Sequence, residues 1–137
     1  MLRQFSLPEE DIEFLNTSNY KWETIIDGGN RWVIIHEFPV PNGYNESSVT
    51  VAIQILSGYP NSQLDMAYFY PWLSRKDGVH IGQADQPMTI QQQSFQRWSR
   101  HYPWQPGIHS LSTHILSIED WLSREFRIKP FQGVSGL

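Results

Sequence analysis

The chain has 137 residues, a length that suits one domain with a single core. With 18% charged and 14% aromatic residues it is no disordered tail, and a net charge of −4 without a basic stripe argues against nucleic acid as a partner. It contains no cysteine, which removes disulfides, thiolate nucleophiles and cysteine-based zinc sites together.

No apolar run approaches the ~20 residues that span a bilayer, so no membrane is expected as a partner. The opening residues, MLRQFSLPEED, turn acidic too early for a secretory signal. A soluble, cytoplasmic protein is the expectation.

Ser6-Leu7-Pro8-Glu9-Glu10 reads as a helix start. Ser6 or Leu7 caps, Pro8 takes an early position, and the acids suit the positive end of the dipole. A short helix over about 8–16 follows, broken by NTSN. In YKWETIID, Tyr20, Trp22, Thr24 and Ile26 alternate onto one face, the signature of a strand. DGGN is a turn and RWVIIHEFPV the return strand of a hairpin. PNGYNESS is a second loop, and VTVAIQIL a third strand with Val49, Val51, Ile53 and Ile55 on one face. After SGYPNSQ, LDMAYFYP is a fourth strand, completing an antiparallel meander. Tyr68, Phe69, Tyr70 and Trp72 read as core or as a flap over a site.

Residues 72–96 have weak periodicity and read as a long, irregular segment with a short strand near Val79–Ile81. Ile108, Leu111, Ile115, Ile118, Leu122 and Phe126 then fall at helical spacing over about 108–126, and Pro130 marks the end. The expected organisation is one α+β domain over 1–130, with helices on one face of a four-stranded sheet, and a flexible tail over 131–137. The predicted core is Trp22, Ile35, Ile53, Leu64, Ile115, Ile118 and Leu122.

The densest chemistry lies in RWSRHYPWQPG, residues 97–107. A serine hydroxyl is a weak nucleophile that needs a base within hydrogen-bond reach. His101 lies two residues from Ser99, and on an extended segment such side chains share a face. Arg100 is the candidate to offset charge on a carbonyl oxygen. Bracing of a turn between Trp98 and Trp104 is the alternative reading of Ser99 and His101. Ser94 is the second hydroxyl, but its Gln and Phe neighbours offer no base; Asp85 is a candidate to orient a histidine. The histidines at 36, 80, 101, 109 and 114 do not make a zinc motif: His109 and His114 are five apart, not the four that align two ligands. No metal and no cofactor are expected.

The order of elements resembles the ubiquitin-conjugating enzyme fold. Gly58-Tyr59-Pro60 before the fourth strand resembles the Tyr-Pro of that superfamily, and Pro71 sits where the strand yields to the active-site segment. WQPGIHSLSTHILSIEDWL resembles its Trp-x-Pro and following helix, with Trp104 and Pro106 matching. A closer resemblance, over roughly residues 7–126, is to family E of the prokaryotic ubiquitin-conjugating-like proteins, on GYP…LDM and on Trp98-Ser99-Arg100-His101 with Trp104. The resemblance implies a component of a bacterial conjugation system, with a ubiquitin-like modifier and an adenylating activating enzyme as partners. RWSRHYPWQPG is read as the rim of a modifier-binding cleft whose shape Trp98 and Trp104 fix, with Tyr59 and Pro60 as further candidate binding residues. The superfamily's nucleophilic cysteine is missing from QQQSFQRWSRHYP, as is its His-Pro-Asn, and His80-Ile81-Gly82 is not given that role. Three readings follow: transfer through a serine oxyester, a native cysteine lost by replacement, or a non-catalytic adaptor that binds modifier or activator.

Overall fold

The computed structural model of the chain describes residues 1–132. Helix α1 covers Glu9–Thr17. Its cap is Pro8, not Ser6 or Leu7: the ring holds φ at −53°, and the Pro8 carbonyl accepts from the N–H groups of Asp11 and Ile12. Glu9, Glu10 and Asp11 fill the first turn, where the helix dipole favours acids.

Strands β1 (Lys21–Asp27) and β2 (Asn30–Pro39) form the expected hairpin. Gly28 and Gly29 close it at φ +58° and +81°, a left-handed pair that a Cβ disfavours. Strands β3 (Ser48–Ile55) and β4 (Ala67–Tyr70) continue the antiparallel meander. The sheet does not stop at four strands. β5 (Gln86–Ile90) and β6 (Gln93–Trp98) extend it beyond β4, in the order β1-β2-β3-β4-β6-β5.

This hairpin lies in the segment expected to be irregular, and its signals are unusual. β5 is an edge strand and carries Pro87, whose missing N–H is tolerated there. The turn is made by Gln91 and Gln92 at φ +50° and +65°, without the glycine or asparagine that normally announces one. Near Val79–Ile81, where a strand was expected, the chain is loop.

Helix α2 covers Leu111–Ile128. Ile108 lies before it and is 66% exposed, so the apolar stripe begins at Leu111. The helix start is stapled locally: the Ser110 N–H donates to Thr113 Oγ1 at 2.9 Å.

The main core lies between the sheet and the helices, where Val33, Ile35, Val51, Ile53 and Phe69 meet Leu15, Ile115, Ile118 and Leu122. All seven predicted core residues are buried. A second cluster of Ile25, Trp32, Ile34, Ala52, Tyr68, Ile90 and Phe95 occupies the far face. The sheet twists enough to cover it: the Gln91 N–H, at the β5–β6 turn, donates to Asp27 Oδ2 at the end of β1, 3.2 Å away. The two edge strands therefore approach each other at this end. Ile25 packs into this far-face cluster, while Ile26, two residues on from Thr24, is 51% exposed near the end of β1.

No helix among the described residues is long and apolar enough to cross a membrane. Of the expected tail, Phe131 rests on Phe126 with ring centroids 6.2 Å apart, and the Gln132 N–H donates to Asp77 Oδ2 at 3.1 Å. Residues 133–137 lie outside the described residues.

Leu122 has no exposed surface and lies on the stripe of α2 that faces the sheet. Leu122→Ala should destabilise the protein by ~2–5 kcal/mol through lost transfer energy and the cavity left behind. Thermal or denaturant unfolding measures it, and an unchanged midpoint would contradict this packing.

Candidate functional site

Strand β6 ends at Trp98, which has no exposed surface. Its ring lies edge-on to Phe69 with centroids 5.2 Å apart, and its Nε1–H donates to Gln96 Oε1 at 3.0 Å. Trp98 is thus an anchor within the core and presents nothing to a ligand. Beyond it the Ser99 N–H donates to the Gln83 carbonyl at 2.9 Å, and the Arg100 carbonyl accepts from the Met66 N–H at 2.9 Å. The Ser99–Arg100 stretch is therefore stretched between the loop before β5 and the entry to β4.

On this frame Ser99 Oγ lies 3.2 Å from His101 Nε2, and His101 Nδ1 lies 3.2 Å from Asp65 Oδ2. A carboxylate can only accept, so Nδ1 carries the proton and Nε2 is left with its lone pair toward the serine hydroxyl. The alternation that puts residues 99 and 101 on one side holds. Asp65 was not singled out from the sequence, although it is the Asp of the LDM triplet. It lies far from the serine along the chain, and only the pairing of β4 with β6 brings them together.

Asp65 owes its place to a second histidine. Met66 adopts φ +61°, a left-handed conformation costing a non-glycine residue on the order of 1 kcal/mol. Its carbonyl accepts from His114 Nε2–H at 2.9 Å, and His114 Nδ1 in turn accepts the Tyr102 hydroxyl proton at 2.8 Å. The His114 ring is wholly buried on α2. Burial pushes its pKa down to about 4, and burial pushes the Tyr102 hydroxyl up to about 12, so both stay neutral in their hydrogen-bonding roles at pH 7.

Arg100 faces away from the serine hydroxyl. Its Nη1 donates to the Gly82 carbonyl at 3.1 Å and to the Ser99 carbonyl at 3.0 Å, its Nη2 lies 3.5 Å from Glu125 Oε2, and its guanidinium sits 4.9 Å from the Trp98 ring centroid. All of these contacts tie backbone and core together.

Tyr59, Pro60 and Trp104 form a brace. The Tyr59 hydroxyl donates to buried Asp11 on α1 at 2.6 Å and accepts the Leu111 N–H, one of the otherwise unpaired donors at the start of α2, at 2.8 Å. Burial raises the Asp11 carboxyl above its ordinary range and holds the Tyr59 hydroxyl protonated. Trp104 Nε1–H donates to the Pro60 carbonyl at 2.9 Å. One edge of Trp104 still lines a shallow groove with Leu56, Gln63 and Pro106.

Ser94 is not brought to this site. It pairs with Thr89 within the β5–β6 hairpin, about 16 Å of extended strand from Ser99, and no base among the described residues contacts its hydroxyl. Asp85 orients a histidine, but it is His80, at 2.9 Å. His36 pairs with Glu23 at 2.7 Å, and His109 Nδ1 accepts from the Gln105 N–H at 2.9 Å. Among the described residues no group of three His, Cys, Asp or Glu side chains is placed to hold a metal ion.

The protein is α+β, and its Ser99–His101–Asp65 cluster sits between the end of an inner sheet strand and the start of its C-terminal helix. The model of Prokaryotic E2 family E matches residues 7–125, and the chain belongs to that family. No match was found among curated proteins or among solved structures. Membership of this E2-like family connects the chain with ubiquitin-like conjugation, and hence with modifiers and activating enzymes as general partners.

The depressed pKa of His114 has a signed consequence. Between about 4 and 6.5 the unfolded chain binds this proton and the folded chain does not, so stability falls as pH drops through that window. The His114→Gln variant lacks the titration. Its stability difference from wild type should shrink by on the order of 2 kcal/mol between pH 7.5 and pH 5. Denaturant unfolding at both values checks this, and a pH-independent difference would contradict it.

Proposed function

We propose that this chain receives the C-terminal acyl group of a ubiquitin-like modifier from its activating enzyme and holds it as an oxyester on Ser99 before transfer to an amine. The observation that carries this reading is the Ser99–His101–Asp65 relay in a cysteine-free member of an E2-like family.

In the loading step Ser99 Oγ attacks the carbonyl carbon of the modifier's thioester on the activator. His101 Nε2 takes the hydroxyl proton. The C–S bond breaks, the sulfur leaves with that proton, and the oxyester remains. In the transfer step the target's amine nitrogen attacks the same carbon, and His101 accepts its proton. That proton passes to Ser99 Oγ as the C–O bond breaks, leaving an amide and free serine. Asp65 holds the tautomer and orientation of His101 and offsets the imidazolium charge. Arg100 positions Ser99 through its carbonyl. Trp98 and the Tyr59–Pro60–Trp104 brace keep the segment rigid, which limits the entropy lost when an extended tail binds. ATP is consumed by the activator, and this chain needs no cofactor of its own.

The second reading, a non-catalytic adaptor that binds modifier or activator, is favoured by the lack of a cysteine. Incubation with activator, modifier and ATP followed by intact-mass analysis separates the two. Transfer predicts an adduct of the two chains less one water, stable to thiol reductants and cleaved by alkaline hydroxylamine. Ser99→Ala should abolish it and Ser94→Ala should leave it intact. His101→Ala should slow it by ~10²–10⁴-fold, the range of a general base. No adduct with wild type, or one that survives Ser99→Ala, would overturn the oxyester.

A further inference from the structure

Arg97 lies two residues before Ser99, and alternation along extended chain sends both side chains to the face opposite Trp98. Both line one cleft of about 230 Å³, whose other wall is the loop through Gly82 and Gln83. The walls are fixed to each other. The Ser99 N–H is bonded to the Gln83 carbonyl, and Arg100 Nη1 bridges the carbonyls of Gly82 and Ser99.

Arg97 has no carboxylate partner among the described residues, and its Nε is buried without a hydrogen bond. This sets it apart from Arg75, which is paired with Asp77, and from Arg100, which is engaged with Glu125 and two carbonyls. Asp85 also lines the cleft, but His80 holds it at 2.9 Å. No hydrogen bond or ion pair among the described residues engages its terminal nitrogens, and Arg97 is only half-buried, so its charge and its fork of donors can meet an incoming oxygen.

We propose that Arg97 is a specificity-determining residue that binds the terminal oxygen of an extended peptide tail in this cleft, and that it supplies the positive charge for which the sequence suggested Arg100. This rests on the modifier-transfer reading. The ligand class is a peptide C-terminus: the acyl oxygen on which negative charge grows when Ser99 attacks, and a free carboxylate as its stable stand-in. Two backbone walls about a small cleft admit small residues next to that terminus.

The test compares acetyl-Ala-Ala-Gly-Gly as the free acid with the same peptide as its carboxamide, by NMR titration of the whole protein. Wild type should bind the acid about tenfold more tightly. Arg97→Met, which keeps the aliphatic stem, should bind both alike, and Arg97→Lys should keep part of the preference. Ser94→Ala, outside the cleft, should keep all of it. The titration contains neither activator nor ATP, so it separates this inference from oxyester formation: the preference would stand even where no adduct forms. Equal binding of the two peptides by wild type, no binding of the acid, or a preference that survives Arg97→Met would overturn the proposal.

Discussion

The neutral, buried imidazole of His114 is the interaction on which the site depends. It joins three parts of the chain: its own helix, the left-handed Met66 that opens β4, and Tyr102 on the segment leading back to α2. Each of its nitrogens has one partner, so the ring is fixed in one tautomer and one orientation. The consequences run outward. Met66 is held in a conformation it would otherwise avoid, Asp65 is thereby presented on the outer side, and His101 is aligned on Ser99. Loss of His114 would take from the Met66 carbonyl and the Tyr102 hydroxyl, both part-buried, their hydrogen-bond partner.

A chain without cysteine faces a specific chemical problem in acyl transfer. A thiol is acidic enough to ionise with modest help, whereas a hydroxyl needs a base at the moment of attack. The base must therefore be placed and kept in the right tautomer. Here the serine and histidine come from one extended segment, and the carboxylate comes from the neighbouring strand's entry. The segment is held on every side by the Trp98 anchor, the Arg100 clamp and the Tyr59–Trp104 brace.

Much of the fold was legible because its signals are local. The hairpin closed by Gly28 and Gly29, the β3 alternation and the α2 stripe each declare themselves within a few residues. The β5–β6 hairpin was not legible, because Gln91 and Gln92 supply a left-handed turn without a turn residue and Pro87 speaks against a strand. The burial of Ile25 on the far face was not legible either, because the sheet's curl that covers it is a global property that alternation in one strand does not carry. In the site, the spacing of Ser99 and His101 brings them together only on an extended segment, and their side chains are found 3.2 Å apart. Asp65 and Arg97 did not stand out: the first depends on strand pairing, the second on which of two arginines finds partners. Arg100 was the cation named from the sequence, but an arginine beside a partly buried glutamate and open carbonyls is consumed by them.

The orientation of the two imidazoles is the most direct test of this account. Two-bond nitrogen–proton correlation spectra of ¹⁵N-histidine-labelled protein at pH 7.5 report which ring nitrogen carries the proton. The account predicts His101 protonated at Nδ1 with Nε2 bare, and His114 in the opposite tautomer, protonated at Nε2. His101 found with a proton on Nε2 and a bare Nδ1 would set a lone pair against the Asp65 carboxylate and contradict the relay.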